Sequence, residues 1–153
     1  MSSNHSIELD VQDALIARIR TMSTDNGYDY TIASEWVYGR QPDPQSASWD
    51  MNIHVSIDST ENTHADNGKR IQVRVNWVIT ANMKAGDKRR SAHVLAANLS
   101  DIIMNEHTLG GIVSVTNFDE VICHESAGID DTHTAVITGF CNIHININNM
   151  RGL

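Results

Sequence analysis

Eight histidines and two cysteines are the residues of this 153-residue chain best suited to chemistry, and the tightest grouping is Cys123 and His124 with Cys141 and His144. Two thiols and two imidazoles are a ligand set that tetrahedral zinc accepts. Their spacing argues against such a site. Both pairs fall in segments that read as strands, joined by a turn centred near Ile129 and Asp130, which sets Cys123 opposite about Val136 and Cys141 opposite about Phe118. The cysteines are then separated along the hairpin, and the adjacent Cys123 and His124 point to opposite faces of one strand. The expectation is buried thiols and solvated histidines, with no metal. His133, between Thr132 and Thr134, is expected on exposed strand.

Other chemistry has less support. Asp119, Glu120 and Glu125 are acids that a general acid–base pair would need, but acids on the outer face of a strand are usually solvated. The chain has no Walker-type phosphate loop, no dinucleotide fingerprint, no HExxH helix and no GxSxG elbow, and Gly110 and Gly111 read as a helix stop. No catalytic, metal-binding or cofactor-binding residue is assigned, no cofactor is implied, and the chain is not expected to be an enzyme.

The elements that would position these residues follow from periodicity. Ile7, Val11, Leu15, Ile19 and Met22 recur at helical spacing, with Ser6 as cap, Glu8 and Asp10 in the first turn and Ser23 to Gly27 as the stop. From Tyr28 the period changes to two, with Tyr28, Tyr30, Ile32, Trp36 and Tyr38 on one side, which predicts a strand. Gly39 to Ser48, with Pro42 and Pro44, predicts a loop. A long hairpin follows: strands over Trp49 to Asp58 and Arg70 to Met83, antiparallel across a polar loop from Ser59 to Lys69. At roughly 3.3 Å per residue the second strand spans about 45 Å, enough to project beyond its own domain. Asp87 predicts the cap of a second helix to about His107 with Ala92, Leu95, Leu99, Ile102 and Ile103 inward, ended by Leu109-Gly110-Gly111. The last strands run from about Ile112 to Glu125 and Thr132 to Asn148. In the second of these, Ala135, Ile137, Cys141, Ile143, Ile145 and Ile147 face one way, Val136 and Phe140 face the other, and Gly139 permits a bulge or close approach.

The fold class is therefore α+β: a mainly antiparallel sheet with two helices packed on one face, in the order α-β-β-β-α-β-β with a long central hairpin, as one domain over residues 1–153. One core suits a chain of this length. A formal net charge of −8 disfavours sequence-specific DNA binding, because affinity for phosphates comes from lysine and arginine. No stretch approaches a membrane span, Met1 to Ser6 lacks a signal pattern, and two cysteines are too few for a disulfide scaffold, so a soluble, unprocessed, reduced intracellular protein is expected.

The cations are unevenly placed. Lys84, Lys88, Arg89 and Arg90 crowd one stretch, and Lys88, Arg89 and Arg90 fall in the predicted first turn of the second helix, where they oppose its dipole. These four residues are the candidate interface with a partner or a neighbouring subunit. Asn142, His144, Asn146 and Asn148, alternating with Ile143, Ile145 and Ile147, give an uncharged strand surface able to pair with other chains. A head-to-tail contact repeated with fixed rotation closes a ring.

The order of elements, with the run Ser91-Ala-His-Val-Leu-Ala-Ala-Asn-Leu99, the Gly-Gly turn and a final hairpin near the C-terminus, resembles the tail-terminator family of long-tailed bacteriophages, typified by the minor tail protein U of phage lambda. The resemblance covers most of the chain. It implies a structural virion protein, a hexameric ring that caps the tail tube, ends its polymerisation and joins it to the head-completion protein. Its implied partners are other copies of itself, the major tail tube protein, a head-completion or connector protein, and double-stranded DNA passing through the lumen without sequence-specific binding; no membrane is involved. The implied location is the tail or neck of the virion after synthesis in the host cytoplasm. The alternative from another class is a small oligomeric α+β enzyme or ligand-binding protein with a pocket between helix and sheet.

Overall fold

Ser6 accepts a hydrogen bond from the Glu8 backbone N–H at 3.2 Å and so starts α1, Ile7–Ile19, as expected of a serine cap ahead of two acids. The computed structural model describes residues 6–39, 51–66, 70–84, 91–106, 108–111, 113, 115–125 and 132–146. Within these, the elements are α1, β1 (Val37–Tyr38), β2 (Met51–Asp66), β3 (Arg70–Lys84), α2 (Ser91–Met104), β4 (Val115–Glu125) and β5 (Thr132–Asn146). They form one five-stranded sheet in the order β1-β2-β3-β5-β4, antiparallel except for the parallel β1–β2 pair. The architecture is α+β, with a mixed and mostly antiparallel sheet.

Alternation along the strands sends one face of the sheet inward. Met51, Ile53 and Val55 of β2 meet Val73, Val75, Trp77, Ile79, Ala81 and Met83 of β3, and Ala135, Ile137, Cys141 and Ile143 of β5; all are buried. Against this face lie Val11, Leu15, Ile16 and Ile19 of α1 and Leu95, Leu99, Ile102 and Ile103 of α2, all within one hydrophobic cluster. The helices are fastened by polar contacts as well. Arg18 Nε donates to the Ile102 carbonyl at 2.8 Å, near the end of α2 where a cation suits the dipole. Gln12 Nε2 donates to the carbonyls of Gly39 at 3.1 Å and Val55 at 2.9 Å, tying α1 to β2.

The strand predicted over Tyr28 to Tyr38 shrinks to the two residues of β1, and it runs parallel to β2. Its backbone is claimed elsewhere: the Ile32 N–H donates to the Met22 carbonyl at 3.0 Å, the Asp29 N–H to Asn98 Oδ1 at 2.9 Å, and a 3₁₀ turn occupies Ser34–Trp36. Such local and side-chain bonds compete directly with a ladder. Ile32 and Val37 are buried all the same.

The polar loop predicted from Ser59 is strand as far as Asp66, paired residue by residue to Arg70, with bulges between Ile57 and Ser59 and between Asn62 and His64. Nor does β3 project alone, since β5 backs it from Arg70↔Asn146 to Lys84↔Thr132. Polarity marked a loop in the sequence, whereas continuous pairing on β3 extends the strand. The proline loop, the Asp87 cap, Trp49 and the turns at 67–69 and 126–131 lie outside the described residues.

After α2, Leu109, Gly110 and Gly111 have φ of 49°, 73° and 90°. Two consecutive glycines permit this left-handed turn, and Leu109 reaches back into the core.

Candidate subunit interface

The second face of the sheet has no helix on it among the described residues, and polar side chains on it are linked across strands, with Val78, Val136, Phe140 and Ile122 on the same face. Asn76 Nδ2 on β3 donates to Ser59 Oγ on β2 at 2.9 Å, while Asn76 Oδ1 accepts from Arg74 Nε at 3.1 Å. The Arg74 guanidinium lies over the Phe140 ring of β5, 3.7 Å from its centroid, and its terminal nitrogen is 3.7 Å from Asp119 of β4. This relay therefore crosses four strands. The Arg74–Asp119 pair is partly exposed and screened by water, so Arg74 is held mainly by the ring and the asparagine.

A second group lies at the β1 end of the same face. Tyr38 O–H donates to Asn52 Oδ1, its ring tilts over His54 with centroids 5.3 Å apart, and Thr134 Oγ1 donates to Asn82 Oδ1 at 2.8 Å. Burial raises the Tyr38 pKa, and the bond to Asn52 lowers it in part. Arginine and aromatic rings are among the side chains enriched where proteins meet.

Of the residues that the sequence singled out, the two cysteines lie on the inward face, Cys141 buried and Cys123 only partly so. Cys123 pairs with Ala135 and Cys141 with Thr116, so the cysteines stand six positions apart along β5, about 20 Å. Cys123 is already one position from the Val136 expected, and a bulge between Phe118 and Glu120 adds a second, so that Cys141 meets Thr116 rather than Phe118. Cys141 is fully buried, 3.4 Å from Thr116 Oγ1; burial raises its pKa, with the Thr116 hydroxyl and then Trp77 offsetting part of this. His144 is exposed, and no group of three or more histidine, cysteine or acidic residues converges among the described residues.

His133 corrects the sequence reading. It is buried at 9% exposure, and its Nδ1 has no hydrogen-bond partner among the described residues. The signal was present, because His133 shares the parity of Ala135 and Ile137 and must share their face.

Of the candidate cations, Lys84 is the last residue of β3, paired with Thr132, while Lys88, Arg89 and Arg90 lie outside the described residues. The sequence reading missed Arg74 and Phe140, which meet diagonally across the β3–β5 pairing. It also missed Val121 and Ile122, adjacent residues of the edge strand β4 that are 46% and 40% exposed. Two apolar residues in succession break the period-two pattern and were a usable sign. An open groove of about 370 Å³ lies between α1 and the turn after α2, lined by Ala14, Ala17, Arg18, Thr21, Glu106, Leu109 and Gly110. It is an outer cleft rather than a pocket between helix and sheet, and Arg18 is already engaged with Ile102.

No protein-family model matches this sequence, and a search of curated proteins found no match. Among solved structures the chain is similar to a chain of the virion of a native gene transfer agent particle, at 15% identity and a TM-score of 0.59, covering 88% of this chain and 95% of that one. A chain from a structure of the sheath/tube terminator of an extracellular contractile injection system in its extended state, PVC, also matches, at 14% identity and a TM-score of 0.47, over 90% of this chain and 56% of that one. The first likeness is one of fold, and it spans nearly the whole of both chains.

Proposed function

We propose that this chain is a structural subunit of a phage-like tail or neck that assembles with copies of itself, and that it acts as a tail terminator. The carrying observation is the fold shared with a virion chain over 88% of this sequence, together with a sheet whose outer face is free of helices among the described residues. In this reading six copies close a ring on the end of the tail tube, stop its growth and present a surface to a head-completion or connector protein. Double-stranded DNA passes through the centre without sequence-specific contacts. An acidic chain suits that passage, because a dense basic lining would hold the phosphates. The protein has no enzymatic role, acts without a cofactor, is made in the host cytoplasm, and resides in the virion. Among the described residues, no helix is long and apolar enough to cross a membrane.

Lys84, Lys88, Arg89 and Arg90 form a further contact with a neighbouring subunit or tail protein. The test of the reading is the mass of the purified full chain by native mass spectrometry, followed by negative-stain microscopy alone and with tail tubes. Rings of six, or density capping tube ends, are expected. A chain that stays monomeric and leaves tube length unchanged overturns the reading.

A further inference from the structure

We propose that the outer edge of β4 is where a second copy of this chain adds, and that the strand it accepts is the free half of β2. This rests on the self-assembling reading above and names the surface that performs it.

β4 is an eleven-residue strand whose partner among the described residues is β5 alone, so its other row of backbone N–H and C=O groups has no strand beside it. Edge strands that stay single are blunted by lysine, proline, bulges or charge. In β4 the sequence has neither lysine nor proline, and the bulge and the acids Asp119 and Glu120 guard its first half. Its second half presents Val121 on the face toward the helices and Ile122 on the open face, 46% and 40% exposed. A strand apolar on both faces at the sheet edge is suited to being paired on both sides.

Among the described residues the opposite edge of the sheet is open as well. β1 covers β2 only at Ile53 and His54, and Gln12 takes the Val55 carbonyl. From Ser56 to Asp66 β2 has no outer strand among the described residues, and it carries bulges between Ile57 and Ser59 and between Asn62 and His64. Ser59, Thr60 and Glu61 are exposed, and the Thr60 hydroxyl is bonded to Glu8 of α1 at 2.6 Å, leaving the backbone edge of Ser56 to Glu61 as the pairing stretch. Strand direction also fits. Each step β2–β3, β3–β5 and β5–β4 is antiparallel, so β4 runs opposite to β2. When the next copy continues the sheet in the same orientation, its β2 meets β4 as an antiparallel ladder, the stronger of the two kinds. Val121 lies across the sheet from Val55, through Ile137 and Ile79, so reaching the uncovered part of the next β2 requires a stagger toward the hairpin tip. Because the two edges are different surfaces, the contact is head-to-tail and repeats, as a ring requires; a two-fold β4–β4 contact stops at a dimer.

The experiment compares the full-length chain with Val121→Lys/Ile122→Lys by light scattering over a concentration series and by hydrogen exchange. The wild type should form a multimer larger than a dimer with slowed exchange in both residues 115–125 and 56–61. The double variant should move the assembly midpoint up by about a hundredfold with its circular dichroism unchanged. Thr replacements at the same positions, which keep the branched shape, should act in the same direction if the lysines lower stability. Leu9→Lys, at another exposed apolar residue, should leave assembly intact. Wild-type-like assembly of both β4 variants overturns the β4 assignment and leaves self-assembly standing. A dimer, or protection of 115–125 without 56–61, overturns the head-to-tail pairing. A wild type that is monomeric at every concentration overturns the underlying reading as well.

Discussion

The central carbon of the Arg74 guanidinium lies 3.7 Å from the Phe140 ring centroid, while its Nε donates to Asn76 Oδ1 at 3.1 Å. Two strands are joined through this contact, on the face that no described helix covers. A point charge on a flexible stem cannot reproduce a delocalised guanidinium with a fixed fork of donors.

Arg74→Ala is therefore expected to lower stability by about 1 kcal/mol, and Arg74→Lys to recover less than half of that, as read by urea unfolding. Full recovery by lysine would assign Arg74 a role of charge alone. Phe140→Leu should lose a similar amount, and combining it with Arg74→Ala should add little, since both remove one contact.

Gly139 marks where β5 passes under Trp77. A Cβ at that position would overlap the Asn117 carbonyl oxygen and the Trp77 ring, which itself packs edge-on against Phe118 at 5.6 Å between centroids. Gly139→Ala should destabilise by about 3 kcal/mol, mainly because backbone and a buried ring must both shift. The measurement is thermal unfolding with tryptophan fluorescence. Gly27→Ala is a separate case, because nothing lies near its missing Cβ and its cost comes from a φ of 91°.

Cys141 ties stability to alkaline pH. Its folded pKa is raised, with burial the main cause, so the folded state favours the neutral thiol. The unfolded chain ionises first, from about pH 8.5, and stability that is fully present below that value falls as pH rises toward the folded pKa. Cys141→Ala should flatten the decline above about pH 8.5 while lowering stability at pH 7 through the small cavity it leaves. Thiol labelling at neutral pH should modify Cys141 only on unfolding.

Reversing Lys88, Arg89 and Arg90 together to glutamate tests the cationic stretch ahead of α2. Ring formation, or the joining of tails to heads, should fall by about tenfold or more, and the loss should be mimicked by raised salt in the wild type. Unchanged assembly would remove these residues from the interface. A gain in thermal stability alone would mark them as an unfavourable helix-dipole term and nothing more.

Asn98 shows how a segment can be strand-like in pattern and something else in space. Its amide accepts from the Asp29 N–H at 2.9 Å and donates to the Asp29 carboxylate at 2.8 Å, which fixes the chain between α1 and β1 against α2. The aromatics Tyr28, Tyr30 and Trp36 still pack on the core, as their spacing suggested, without a ladder to carry them.

The inward set of β2, β3 and β5, the stripes of both helices and the glycine turn at Gly110 and Gly111 were legible in the residues, because period and turn chemistry are local properties. So was the separation of Cys123 from Cys141, and the same parity placed His133 inside for a reader who followed it. What the local pattern could not contain was neighbourhood. That β5 lies between β3 and β4, that Arg74 meets Phe140, that Ser59 to Asp66 is paired strand, and that β4 ends the sheet with Val121 and Ile122 exposed are all decided by contacts between residues far apart in the chain. Alternation reports which face of a strand is buried. Only the packed sheet determines which strand stands beside it and which edge is left to pair.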